Sequence, residues 1–262
     1  MHVTPKTFFL VNGWDSPKDS FTLGSIIINP MHPQLALFRP EPFKNPRTIS
    51  STKSEYVGNV ADDDHRSFGL FRTFLRLYGL GEEDSFHYDR KSVLSYSIRQ
   101  LESASFELND ELRRKAIEDE RVAQFLRASD YKASVFMVRG VRTVKGAGVT
   151  TGSSKGNGWK VKLNVDGEIP VVYALELVEL KASTAGEVVM FKALGVDDTV
   201  EKLQDRLNQD FGEATFTVID GFDEESGDEC KIVASSPAYL DLLTAGSARI
   251  NVSLLRSPSI KE

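Results

Sequence analysis

The sequence of 262 residues contains one cysteine, Cys230, and no long hydrophobic run. A single cysteine cannot form an internal disulfide or a multi-cysteine zinc site. No stretch approaches the roughly 20 apolar residues of a membrane-spanning helix. The run Phe8–Val11 is too short for the hydrophobic region of a signal peptide. We therefore expect a protein that is made in the cytosol and stays there unless it enters a membrane by another route.

Recognisable catalytic motifs are also missing. The four histidines stand in predicted loops or strands, and no serine or cysteine nucleophile motif accompanies them. The consecutive side chains of Asp62–His65 cannot converge on one metal ion without further ligands. We therefore expect a protein that is not an enzyme and that needs no cofactor and no metal.

The charge of the chain is unevenly distributed. Residues 1–182 carry 25 basic and 23 acidic residues, whereas residues 183–262 carry 7 and 15. A run of small residues over 182–186 (ASTAG) is the best candidate for a linker. We predict one domain over 1–182 and a small acidic module over 183–262, with different partners. The alternative, that solvated faces simply differ in charge, stays open.

A cationic segment with β character runs from Val135 to Leu180. Two β-type runs flank a Gly/Ser-rich connector over 146–158, and apolar residues alternate with polar ones in Trp159–Asp166. Such alternation gives a strand one apolar face. No acidic residue occurs between the first and last of six basic residues, which are Arg139, Arg142, Lys145, Lys155, Lys160 and Lys162. The pattern predicts a two-faced hairpin that suits an anionic membrane, although a half-buried strand with a solvated face fits as well.

A second hairpin is predicted over about 67–101, with its tip near 80–85. Phe68–Leu80 is rich in Phe and Leu, and its periodicity does not separate a strand from a buried helix. Beyond it, Leu94, Tyr96 and Ile98 alternate with polar residues. Asn109 or Asp110 then caps a predicted helix that runs to about Ala128 on the surface of a sheet.

Three segments carry a family resemblance. They are Asp89–Ile98 with Leu101–Phe106, Val135–Ala147 (VFMVRGVRTVKGA), and Ile169–Leu177 (IPVVYALEL). In this order, over about residues 8–181, the chain resembles the pore-forming domain of the gasdermin family, and most of all its short fungal regulator-of-cell-death type. It departs from mammalian members because it lacks a large helical inhibitory half.

The resemblance implies an α+β fold, with a twisted antiparallel sheet and surface helices. It also implies a cytoplasmic protomer that binds acidic phospholipids, moves to the plasma membrane, and assembles a ring with itself or an allelic variant. Two regions then become transmembrane β-hairpins, which permeabilise the membrane and cause regulated cell death. Ring closure fits the physics, because backbone groups in lipid must all be hydrogen-bonded.

These considerations assign expected roles to particular residues. The six basic residues of the cationic segment, together with Arg72 and Arg76, are expected to bind lipid, at about 1 kcal/mol for each charge near an anionic surface. The residues expected to enter the membrane are Phe68, Leu70, Leu94, Tyr96, Ile98, Trp159, Val161, Leu163 and Val165. Nucleic acid is not expected as a partner, because the basic segment offers one aromatic residue and no stacking platform. A nucleic-acid binder is the third and weakest hypothesis.

The tail resembles a PB1 or ubiquitin-like β-grasp module in its predicted order of strand, helix, two strands, helix and strand. Its acidic residues Asp223, Glu224, Glu225 and Asp228 are the expected partner-binding group. The partner could be the cationic hairpin, which would make the tail a restraint, or the tail could belong to the pore-forming fold. A soluble β-rich scaffold that acts through this acidic module is the alternative function.

Overall fold

A large sheet with helices on its faces forms the body of the protein in a computed structural model. The structure describes residues 5–11, 16–40, 47–59, 69–77, 92–153, 159–165, 170–212, 215–223, 226–235 and 250–256. Within these ranges the sheet has 12 strands, and most of the strand pairs are antiparallel. The predicted α+β class, with an antiparallel sheet and surface helices, is confirmed.

The elements follow one another along the described chain. The first six strands are β1 (Lys6–Leu10), β2 (Ile26–Ile27), β3 (Ala36–Phe38), β4 (Thr48–Asn59), β5 (Ser92–Phe106) and β6 (Val135–Ser153). The next six are β7 (Trp159–Val165), β8 (Val171–Ala182), β9 (Val188–Ala193), β10 (Phe216–Phe222), β11 (Glu229–Ser235) and β12 (Ile250–Arg256). The described helices are α1 (Gly69–Leu77), α2 (Asp110–Glu118), α3 (Glu120–Ala128) and α4 (Val200–Phe211).

Strand β6 organises the sheet because it pairs along both edges. One edge pairs with β2 and then with β5, and the other pairs with β8 and then with β7. On the far side of β8 the order continues through β1 and β11 to β10, and β1 with β11 is a parallel pair. Beyond β5 and β7 lie β4 and β12. The central strands are therefore covered on both edges.

The core lies on both faces of β1, which explains why the run Phe8–Val11 is apolar throughout. Phe8 and Leu10 belong to a cluster with α1, whereas Phe9 and Val11 belong to a cluster with α4. Successive side chains of a strand point to opposite faces, so a strand covered on both faces is apolar throughout. A third cluster joins α2 and α3 to β6 and β8.

The predicted helix over 109–128 is two helices. Asn109 caps α2, as expected, by accepting a hydrogen bond from Leu112 N at 2.9 Å. Asp119 then has an extended ψ of 133° and caps α3 by accepting from Arg121 N and Val122 N. The acidic side chain thus competes with the backbone of a continuous helix and divides it.

The second predicted hairpin is not formed in this structure, although the strand predicted around Leu94, Tyr96 and Ile98 lies within β5. Gly69–Leu77 is helix α1, which the periodicity had left open, and β5 pairs with β4 instead. The predicted tip near 80–85 lies outside the described residues. The connector predicted over 146–158 is also wrong in part, since β6 continues through Ser153 because β5 and β7 pair with its Gly/Ser-rich end.

The tail strands join the sheet of the preceding residues. β9 pairs with β8, β11 with β1, and β12 with β7. Helix α4 begins after its cap Thr199 and corresponds to the first predicted helix of the tail. Among the described strands of the tail, β10 and β11 are the pair that forms within it. The division at residue 182 stays a prediction, and the PB1-like module is unconfirmed. The second helix in the predicted order of the tail, expected over 237–243, lies outside the described residues.

Candidate functional site

The sheet brings the two predicted membrane regions side by side. β5 and β6 form an antiparallel pair from Ser92–Ser153 to Ser105–Gly140, and β6 and β7 form the predicted cationic hairpin. At their outer end, residues 56–59, 92–98, 147–153, 159–165 and 250–256 make a five-stranded ribbon, which we call the extension. One row of pairing crosses all five strands through Asn59, Ser95, Thr150, Lys162 and Ser253.

A buried ion pair joins the cationic strand β6 to the acidic tail. Arg142 Nη2 donates to Asp223 Oδ1 at 2.6 Å, and the two side chains are 6% and 1% exposed. The Arg142 guanidinium also lies over the Phe8 ring, 4.4 Å from its centroid. Lys6 Nζ is 3.4 Å from Asp223 Oδ2, to which Ser226 Oγ also donates. A predicted lipid-binding residue therefore meets a predicted partner-binding residue inside the protein.

The other predicted lipid-binding residues are spread over the sheet and α1. Arg139 is partly exposed and pairs with Glu176 at 3.3 Å, while the half-buried Lys145 stands opposite Gln100 in the β5–β6 ladder. The backbone of β7 carries Lys160 and Lys162, and that of α1 carries Arg72 and Arg76; Lys155 lies outside the described residues. The structure thus brings Lys160 and Lys162 onto the extension but keeps Arg142 in the core.

The predicted membrane-entering residues also divide into two groups. Leu70 and Ile98 are buried, at 0% and 1% exposure, in the cluster beneath α1. Phe68 lies outside the described residues. The remaining ones lie on strands of the extension: Leu94 and Tyr96 on β5, and Trp159, Val161, Leu163 and Val165 on β7.

Helix α1 packs over the base of the extension through its aromatic residues. Phe71 and Tyr173 meet edge to face at 5.8 Å between centroids, and the Phe74 ring lies 6.4 Å from the same tyrosine. The helix starts against the end of β10, where a Cβ on Gly69 would lie 2.9 Å from both Cβ and the carbonyl oxygen of Phe222. A glycine is therefore required for this close approach.

The predicted partner-binding residues of the tail differ in burial. Asp223 is buried, whereas Asp228 is half-buried and its backbone oxygen accepts a hydrogen bond from Asp223 N. Glu224 and Glu225 lie outside the described residues. Sequence reasoning missed Lys6, Phe8, Gly69 and Phe222 as members of this region. No local pattern could have found them, because the residues that they contact lie far away in the sequence.

In the part of the chain that the structure describes, no three His, Cys, Asp or Glu residues come together as a metal site. None of the described helices combines the length and apolar character needed to cross a membrane.

Comparisons with known proteins give one kind of match. No family model matches the chain, and no curated protein does. Among solved structures, the chain is similar to a bacterial gasdermin from Bradyrhizobium tropiciagri, with 14% identity and a TM-score of 0.32. The match covers 70% of this chain and 86% of that chain.

Proposed function

We propose that this chain is a gasdermin-type pore-forming protein that permeabilises the plasma membrane and thereby causes regulated cell death. It is not an enzyme in this proposal. It waits in the cytoplasm, binds acidic phospholipids, and assembles a ring with itself or with an allelic variant. The residue patterns described above and the arrangement of the extension support this proposal.

The observation that carries the proposal is the adjacency of β4, β5, β6 and β7 at one end of the sheet. β6 has 19 residues, which is about 65 Å of strand at roughly 3.4 Å per residue. A membrane-crossing strand needs about 9–11 residues. If the inner half of β6 stays in the core, the segment from Val144 to Ser153 is still long enough to cross. Neighbouring antiparallel strands already have the hydrogen-bond partners that a lipid environment demands.

The tail acts as a restraint in this proposal. Asp223 holds Arg142 of β6 in the core, and Phe222 abuts Gly69 at the start of α1. The same two tail residues therefore contact both segments that are proposed to rearrange. Opening this contact would free α1 and the base of β6 together.

Leakage from vesicles tests the proposal. Purified protein should release dye from phosphatidylserine- or cardiolipin-containing vesicles and leave neutral vesicles sealed. A triple variant with Lys155, Lys160 and Lys162 replaced by Glu should lose binding to acidic vesicles while it stays folded. The matched control changes three exposed lysines elsewhere, Lys115, Lys132 and Lys202, to Glu, and alters the net charge equally.

Three outcomes decide the matter. Loss of binding in the hairpin variant but not in the control supports the lipid-binding role. Equal loss in both variants would mean that net charge alone attracts the protein to the vesicle. Vesicles that stay sealed with wild-type protein, including after addition of an allelic variant, contradict pore formation and favour the soluble scaffold.

A further inference from the structure

One row of residues interrupts three neighbouring strands at the base of the extension. The row contains Glu55 of β4, Arg99 of β5 and Gly146 of β6, which stand at the same level of the antiparallel ladder. The flanking pairs are Ser54–Gln100 and Tyr56–Ile98 on one side of β5, and Gln100–Lys145 and Ile98–Ala147 on the other. The register is the same before and after the row, so the interruption is local to it.

The backbone of this row is left-handed on both outer strands. Glu55 has a φ of 60° and Gly146 has a φ of 64°. A positive φ is unfavourable for a residue with a side chain, and glycine adopts it at no steric cost. A Cβ at position 146 would also lie 2.9 Å from Arg99 Cβ. The glycine is therefore needed for the bend, and the glutamate is strained by it.

The row reverses which side of the strand faces the core. Ile98 and Leu101 are three residues apart, yet both are buried in the cluster beneath α1. Val144 and Ala147 on β6 show the same spacing and share the same cluster. In an uninterrupted strand, residues three apart point to opposite faces. β5 and β6 therefore each change face as they cross the row.

The interruption continues on the far edge of β6. Its pairing with β8 ends at Val144, and its pairing with β7 begins at Gly148. Helix α1 contributes Leu70, Phe71 and Phe74 to a cluster that includes side chains from both sides of the row. The extension is thus joined to the body along one line, and α1 packs against side chains on both sides of that line.

We infer that the row Glu55–Arg99–Gly146 is a hinge, about which the extension turns when the protein passes from its soluble form into the membrane. This inference rests on the proposed pore-forming function. Straightening the row returns Glu55 and Gly146 to negative φ and removes the reversal of faces. A membrane-crossing strand needs that change, because its lipid-facing side must be continuous.

Two substitutions at Glu55, to Val and to Asn, test the hinge. Both remove the same negative charge, so the two variants do not differ in charge. Asparagine accepts a positive φ readily, whereas valine strongly resists it. Glu55→Val should favour the straight form and speed leakage from acidic vesicles about five- to thirtyfold, the factor that corresponds to the backbone penalty. Glu55→Asn should leak at the wild-type rate or more slowly. Gly146→Ala should behave as Glu55→Val does.

A control separates the hinge from general loss of stability. Val122→Ala truncates a fully buried residue of α3 in a different cluster, away from the row. If this variant leaks as fast as Glu55→Val, destabilisation alone explains the effect and the hinge is overturned. The hinge is also overturned if Glu55→Val and Glu55→Asn leak at the same rate.

Amide hydrogen exchange in the lipid-free protein gives a readout that does not need pore formation. Glu55→Val should exchange faster than Glu55→Asn over 92–98, beyond the row, and equally over 100–106, before it. If the two variants show no such contrast between the two segments, the hinge is overturned, whatever the leakage rates are. Wild-type protein that leaves acidic vesicles sealed overturns the proposed function, and an exchange contrast then still supports a hinge in solution.

Discussion

The buried pair of Arg142 and Asp223 yields a prediction that can be made quantitative. Replacing Asp223 by Ala removes the carboxylate that accepts from Arg142 Nη2 at 2.6 Å. The guanidinium then stays in a site where its side chain is 6% exposed, without the carboxylate to which it donates in the wild-type protein. Breaking a buried ion pair by removing one partner typically costs about 3–5 kcal/mol. We expect Asp223→Ala to lower the free energy of unfolding by that amount.

The double variant Arg142→Met with Asp223→Leu provides the matched control. Replacing both charges by apolar side chains of similar size is often neutral or even stabilising, because the desolvation cost of the two ions disappears with their attraction. We expect its free energy of unfolding to lie within about 1 kcal/mol of the wild-type value. Lys6→Ala should cost less than about 1 kcal/mol, because the Lys6 side chain is 45% exposed and solvent screens its charge.

Urea unfolding at neutral pH measures these free energies, and a double-mutant cycle gives the coupling between the two residues. A loss below 1 kcal/mol for Asp223→Ala would refute the reasoning, and so would a double variant that loses the sum of both single losses. The double variant also tests the restraint. It should be as stable as wild type and yet leak faster from acidic vesicles, because its tail no longer holds β6 by charge.

Two other predictions concern single positions. Gly195 has a φ of 78° and a Cβ there would lie 2.5 Å from Leu203 Cδ2, so Gly195→Ala should lower the free energy of unfolding by at least about 1–2 kcal/mol in urea titrations; an unchanged midpoint would contradict this. The hydrogen bond that Lys115 Nζ donates to Glu111 Oε1, and then its charge, lowers the pKa of Glu111. Lys115→Ala should raise that pKa towards its ordinary value in an NMR titration. Because the pKa of Glu111 is lowered in the folded state, any stability from this pair is present at neutral pH and is lost as the pH falls through that pKa. If Lys115→Ala leaves the pKa of Glu111 unchanged, Lys115 is not the cause of its lowering.

Local signals in the sequence were sufficient for the starts of two helices and for one strand. Asn109 and Thr199 precede apolar stripes, and both side chains accept hydrogen bonds from the first turn of their helices. The alternation in Trp159–Asp166 gave strand β7 correctly. Such signals depend on near neighbours in the chain, and a single sequence contains them in full.

Elements that depend on distant partners were missed or misassigned. β4 is a polar edge strand in which Ile49 and Val57 are 55% and 80% exposed, so it has no apolar face for periodicity to detect. The Gly/Ser-rich end of β6 has weak strand propensity and is a strand because both of its edges are paired. In the sequence, Arg142 cannot be distinguished from the other basic residues of the cationic segment. Its position in the core depends on Asp223, 81 residues later.

The parallel pairing of β1 with β11 has a consequence for how the chain is made. Lys6, at the start of β1, and Asp223, in the turn before β11, form an ion pair across 217 residues of sequence. A nascent chain on the ribosome therefore presents one open edge of its apolar first strand until β11 has emerged. Contacts of such long separation form slowly, and an unpaired apolar edge invites association with other chains. Chaperone occupancy during synthesis should accordingly persist until residues 229–235 leave the exit tunnel.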